Sequence, residues 1–472
     1  MQRATFLAVS SLFMAVPLAA QSASELSDDV MQYVSVSEPV IALTNARVID
    51  GTGGPVREGQ TVVIDHGRIA AVGSDVDVPD GARVIDLTGK TVIPGLVGMH
   101  NHTFYTTSSR RVQLTFSAPK LYLASGVTTI RTTGSYAPYS EINLRHRIRS
   151  GNDVGPRMFL TGPYITGGNP NTYMTVVSGP EDARRVVAYW AEEGVDWMKA
   201  YTRLTREELG AAIDEAHQHG LRFTAHLCSV TFREAVELGI DHLEHGFFAS
   251  TDFDPEKQPD ECPANFRSRT VGVDMDDPEV NDLIRTIVDA GVSMTSTLAI
   301  YELVVPNRPA EIDERIAEVL VPEAMEDYLR SREARAAQAE TSLWPELFQK
   351  AMAFAHAFSE AGGNLTAGVD PTGIGGALPG FGDQRNYELL LEAGFSPEMV
   401  IRIMSANGAR ALGVIDELGT IEPGKLADLV VINGDPTSGQ RQIRDVEIVF
   451  KDGVGYDSAA LIEAVAGVVG RS

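Results

Sequence analysis

Short apolar runs that stop at a glycine, a proline or a charged residue recur along this chain, and through its central part they alternate with amphipathic stretches of helical period. Asp196-Trp197-Met198-Lys199-Ala200-Tyr201 reads as a strand, and Thr205-Arg206-Glu207-Glu208 is a capping box opening a helix from Glu207 to His219 that Gly220 ends. Arg222-Phe223-Thr224-Ala225-His226 repeats the strand, Thr231-Phe232-Arg233-Glu234 repeats the cap, and Ile240-Asp241-His242-Leu243-Glu244-His245-Gly246 is a third strand. A helix at about 347–361 then precedes Asn364-Leu365-Thr366-Ala367-Gly368-Val369-Asp370.

Outside this rhythm the pattern changes. Residues 40–93 carry short β-branched runs broken by Gly and Asp, such as Thr61-Val62-Val63-Ile64-Asp65, and the stretch from Leu418 to Tyr456 does the same. The expected fold class is therefore α/β, a (β/α)8 TIM-type barrel with a small β-sandwich built from both chain ends. The expected division is a signal segment at 1–22, the first part of the sandwich at 40–93, the barrel at 94–415 and the second part of the sandwich at 416–460.

The chemistry sits at the ends of the strand-like runs. His100 and His102 follow Val92-Ile93-Pro94-Gly95-Leu96-Val97-Gly98-Met99. Positions i and i+2 of a strand face the same side, so both imidazoles can reach one cation of the borderline class that nitrogen ligands suit. Lys199, His226 and His245 also fall at strand C-termini, the face where a barrel gathers catalytic groups. Asp370 ends the last such run.

These segments resemble the amidohydrolase superfamily, in its prolidase-like, imidazolonepropionase-related branch. The matching residues are the segment from Pro94 to His102, Lys199, His226, Leu243-Glu244-His245-Gly246, Asp370, Gly408-Ala409-Arg410-Ala411-Leu412-Gly413 and the tail from Gly419 to Val430. The resemblance implies a binuclear centre: His100, His102 and Asp370 on one metal, His226 and His245 on the other, and a carboxylated Lys199 between them. An ammonium has no lone pair to offer, so the lysine must first take up CO2 as a carbamate, and that requires a lowered pKa. Two divalent ions are implied, Zn²⁺ foremost, with Mn²⁺, Co²⁺ or Fe²⁺ as alternatives. Such a pair would activate a bridging hydroxide and polarise a carbonyl, and Asp370 would shuttle the proton to the leaving nitrogen.

The implied reaction is cleavage of a C–N bond in a small substrate, a dipeptide or an N-acyl amino acid. The alternative keeps both metals and changes the bond: a lactone, ester, phosphotriester or cyclic amide. A glycine-rich loop associated with some dipeptidases of the family does not follow Lys199, where Lys199-Ala200-Tyr201-Thr202-Arg203 runs into a short connection. Tyr201 is a candidate hydrogen-bond donor to the substrate carbonyl, and Arg131, ending Val127-Thr128-Thr129-Ile130, is a candidate receptor for a substrate carboxylate. His66, His146, His217, His219, His242 and His356 are read as non-ligands.

A net charge of −25 excludes a nucleic-acid partner on electrostatic grounds. Met1-Gln2-Arg3, the apolar run from Ala4 to Ala20 and the small residues around Ala23 read as a secretory signal cleaved near residues 20–23, hence a periplasmic or secreted protein with no stable membrane insertion. Cys228 and Cys262 are the two cysteines, and pairing and a free thiol are both compatible with their positions. The oligomeric state stays open between a monomer and a homo-oligomer. The segments 252–278 and 309–340 exceed what two βα units need and are expected to narrow the entrance to the site.

Overall fold

A computed structural model describes residues 18–168 and 173–471. Most of the expected signal segment, residues 1–17, lies outside the described residues.

Eight parallel strands carry the site: β1 (Leu96–Asn101), β2 (Val127–Thr132), β3 (Thr161–Thr166), β4 (Trp197–Ala200), β5 (Arg222–Ala225), β6 (His242–Glu244), β7 (Ser293–Ser296) and β8 (Leu365–Ala367). Apart from Arg222 at the start of β5, every residue in them is buried, as expected of parallel strands covered by helices. Strands β3 to β8 form one ladder in sequence order, and β1 and β2 pair in a second one. Two seams separate the ladders. Across one, Ser135 bridges Pro163 just beyond β2, and Thr161 N donates to Thr132 Oγ1 at 3.0 Å. Across the other, Asp370 N donates to His100 O at 2.8 Å, and a Cβ on Gly368 would collide with the His100 backbone. Among the described residues the architecture is thus α/β with parallel ladders in two pieces, and no continuous ladder closes the ring.

The helices between strands start where side chains satisfy their free N–H groups. Arg206–Gln218 and Phe232–Glu237 both open on complete capping boxes, from Thr205 with Glu208 and from Thr231 with Glu234. Each such cap contributes about 1 kcal/mol. The expected helix near 347–361 runs from Trp344 to Glu360, and the 309–340 segment holds two helices, Glu314–Val319 and Pro322–Ala336.

Strands from both chain ends meet in one nine-stranded sheet. It starts at Val34–Val36, which pairs with Val454–Asp457. The long strand Val40–Val48 changes partner along its length, pairing with Arg83–Asp86 through Ile41 to Thr44 and with Lys90–Pro94 at Arg47 and Val48. Its core, including Ile41, Leu43, Val62, Leu429 and Phe450, is separate from the core around the parallel strands. Lys90–Pro94 leads through Gly95 into β1, so the sheet is coupled to the strand carrying the first two histidines.

Candidate metal centre

His100 lies within β1 and His102 just beyond it, Lys199 is the third residue of β4, and His226 and His245 directly follow β5 and β6. Asp370 lies three residues past β8. The parallel register sets Tyr164, Lys199 and Thr224 side by side. All six predicted ligands line one cavity of about 340 Å³. His245 and Asp370 both adopt left-handed backbone (φ 70° and 46°), a conformation that His and Asp tolerate better than most side chains and that recurs at functional sites.

Ligand atoms of His100, His102 and Asp370 lie within 4.8 Å of one another. His100 Nε2 is 3.6 Å from Asp370 Oδ2, and His102 Nε2 is 3.4 Å from Asp370 Oδ1. The imidazoles of His226 and His245 have centroids 4.3 Å apart, and His245 is 4.6 Å from His100. Lys199 Nζ lies 3.2 Å from His100 Nε2 and donates to Thr133 O at 3.0 Å.

Burial sets the protonation of this cluster. It lowers His102 to about 4 and His226 to about 3, and it holds His100 and His245 below their ordinary values, so the four rings are neutral and keep lone pairs. Their Nδ1 atoms are engaged elsewhere in three cases: His100 with Glu244 at 2.7 Å, His102 with Gly134 O at 3.1 Å and His245 with Thr297 Oγ1 at 2.8 Å. Each of those rings presents Nε2 to the cavity, the arrangement that outer partners impose on metal-binding histidines. Burial also brings Lys199 down to about 8, although Glu244 and Asp370 oppose it. Burial alone would raise Asp370, but the facing His100 and His102 keep its carboxyl well below the usual range.

Tyr201 lines the cavity with its ring 5.0 Å from that of His226, and burial raises its pKa, so the phenol keeps its proton and can donate. Arg131 is placed differently from the expectation. Its fully enclosed guanidinium pairs with Glu244 and Met99 O and stacks 4.6 Å from Trp197, so it is held by an internal acid and does not line the cavity. None of the six histidines read as non-ligands lines the cavity; His242, though buried, bonds Thr295 Oγ1 at 2.6 Å. Cys228 and Cys262 form a disulfide.

Glu244 is the functional residue that strand reading passed over. It is fully buried, bonds His100, Thr224 and Arg131, and ionises because Arg131 and His100 outweigh the cost of burial. The available signal was an acid within the strand, next to His245.

The amidohydrolase family profile matches residues 91–455. Imidazolonepropionase of Vibrio cholerae serotype O1 is 39% identical over 70 residues, 14% of this chain, and the match spans 17% of that relative's length. Among solved structures, a Bifidobacterium longum protein provisionally assigned as a prolidase is 25% identical with a TM-score of 0.64, covering 90% of this chain and 98% of the other. A Xaa-Pro dipeptidase with bound methionine in its active site shares the fold at a TM-score of 0.67 and 23% identity, over 89% of this chain and 100% of that one. With a profile match over most of its length, the chain belongs to the amidohydrolase family.

Proposed function

We propose that this protein is a binuclear metal-dependent hydrolase that cleaves a C–N bond of a small substrate, a dipeptide or an N-acyl amino acid, at the mouth of a (β/α)8 barrel. The observation that carries the reading is the convergence of four neutral imidazoles, Lys199 and Asp370 on one cavity. His100, His102 and Asp370 would hold one cation and His226 and His245 a second, with Lys199 as a carbamate between them. The donor set fits: His100, His102 and His245 have Nδ1 engaged elsewhere and Nε2 left for a cation, and Lys199, brought down to about 8, has a share of the neutral amine that CO2 requires.

Divalent cations in this site, Zn²⁺ foremost, would supply Lewis acidity toward the scissile carbonyl and a water of lowered pKa. Asp370 stays ionised and can take a proton from the attacking water and return it to the leaving nitrogen. Thr372 Oγ1 donates to Asp370 Oδ1 at 2.8 Å, fixing the carboxylate for that transfer. Tyr201 can donate to the carbonyl oxygen as charge develops there. The likeness to a protein assigned as a prolidase supports an amide substrate.

A hydrolysis screen of the Zn²⁺-reconstituted protein on dipeptides, N-acyl amino acids, aryl amides, lactones and aryl esters tests this. Release of amines is the expected result. Release of alcohols alone would replace it with lactone or ester hydrolysis at the same centre.

We also infer export. The basic start and apolar run of residues 1–20 support it, and so does the Cys228–Cys262 disulfide, a bond that persists in oxidising compartments. A reporter active only outside the cytoplasm, fused to residues 1–25, should become active, and a silent fusion would remove the inference.

A further inference from the structure

Apart from the six metal-site residues, one charged side chain lines the cavity, and it is Arg335. Its guanidinium has no ion pair or hydrogen bond among the described residues, whereas Arg308, Arg315, Arg330, Arg385 and Arg444 nearby in the fold all pair with acids. In a chain of net charge −25, an arginine without an ion-pair partner, set on a cavity whose walls outside the metal-site residues are otherwise uncharged, is a local reversal of the global field.

The helix that carries it is fastened to the rest of the site. Arg335 occupies the last turn of Pro322–Ala336. On the same helix Asp327 is 1% exposed and accepts from Thr107 Oγ1 at 2.6 Å, Ser109 Oγ at 2.5 Å and Arg110 Nε at 2.9 Å, all on the loop that follows His102. The adjacent Tyr328 is buried with its ring so close to Gly376 that no Cβ fits there, which ties the helix to the loop that follows Asp370. Its N-terminus is held too, with Val321 N donating to Val469 O at 2.9 Å. The helix is therefore docked on the two loops that follow His102 and Asp370, and it carries Arg335 about two turns beyond those anchors to the edge of the cavity.

We propose that Arg335 is the receptor for a carboxylate on the substrate, presented across the cavity from the metal-site residues, so that the enzyme selects substrates with a free carboxylate on the amine-derived part. A guanidinium offers paired donors matched to the two oxygens of that group. The proposal rests on the C–N hydrolase reading for the reaction, but anion recognition by Arg335 stands apart from it.

Two measurements on the metal-loaded protein separate the two. In the first, acetate release from N-acetyl-L-phenylalanine and from N-acetyl-L-phenylalaninamide is compared by kcat/KM. The free acid should be preferred, and Arg335→Gln should cut that preference by roughly 10–100-fold, mainly through KM, with metal content unchanged; Arg335→Lys should restore part of it. In the second, binding of 3-phenylpropanoate and of 3-phenylpropan-1-ol is measured by calorimetry. Arg335→Gln should weaken the carboxylate by a similar factor and spare the alcohol, a difference that a purely structural arginine would not produce. Hydrolysis with an unaltered acid preference in Arg335→Gln, or carboxylate binding equal to wild type, overturns the assignment while leaving C–N hydrolysis in place. No amide hydrolysis, with carboxylate binding lost in Arg335→Gln, removes the reaction and keeps Arg335 as an anion receptor.

Discussion

Glu244 Oε2 lies 2.7 Å from His100 Nδ1, and the other oxygen of the same carboxylate meets Arg131 and Thr224. The hydrogen bond holds the His100 ring with Nε2 turned toward Asp370 and Lys199, so a charge that never reaches the cavity sets the direction of a ligand that does. Glu244→Gln preserves the shape and halves the acceptor capacity. Removal of such an outer partner costs about 10–100-fold in metal affinity, and competitive chelator titration should show that loss at one of two ions. Glu244→Ala should do more, because it strands Arg131 as an unpaired buried cation, and a stability loss of about 3–5 kcal/mol is expected by denaturant titration. Wild-type metal affinity in Glu244→Gln would leave His100 oriented by packing alone.

Glu141 supplies a pH dependence separate from the metal ligands. It is buried, accepts from Thr103 Oγ1 at 2.7 Å, and burial lifts its carboxyl from 4.5 to about 7. The fold therefore binds a proton that the unfolded chain gives up near 4.5. Its stabilising contribution is complete below that pH and disappears as pH rises through about 7. Glu141→Gln removes the titration and keeps the volume. Thermal melts should show the variant equal to wild type near pH 4 and more stable at pH 8 by about 1 kcal/mol or more, since each tenfold difference in proton affinity between the folded and unfolded chain is worth about 1.4 kcal/mol. Parallel stability profiles for the two proteins between pH 5 and 8 would refute this.

The six candidate ligands were legible in the sequence because each ends a short apolar run, and local period places such residues on a strand end. Capping boxes at Thr205 and Thr231 were legible for the same reason, since their partners are three residues away. What stayed hidden depends on distant pairing. Arg131 and Glu244 are 113 residues apart, and nothing local told whether the arginine faced substrate or an acid. Arg335 lies in the 309–340 segment, whose length alone placed it near the entrance, but which of its side chains reaches the cavity follows from Asp327 and Tyr328 docking on loops that are distant in sequence on either side. The two-piece ladder was equally invisible, because a seam crossed by an isolated bridge, Ser135 with Pro163, leaves the hydrophobic pattern unchanged.

Metal content is the most direct check on the centre. If the six side chains on one cavity hold the proposed binuclear centre, protein produced with bicarbonate and Zn²⁺ or Mn²⁺ should carry close to two ions per chain by elemental analysis. One ion or none under those conditions would end the binuclear assignment.

Lys199 decides between that assignment and a one-metal site. Its amine is buried 3.2 Å from His100 Nε2, and as a plain ammonium it would place a cation among the ligands and oppose metal binding. As a carbamate it offers two anionic oxygens in the same space. Lys199→Ala should therefore lose at least one metal ion and lower turnover by orders of magnitude. Short carboxylic acids such as acetate or propionate should restore part of both, since they carry the same oxygen pair into the vacated volume. Lys199→Arg keeps the charge and the length but cannot be carbamylated, so neither metal content nor rate should recover. Near-normal metal content and rate in Lys199→Arg would reduce the lysine to an ion-pairing residue and leave a mononuclear site on His100, His102, His226 and Asp370.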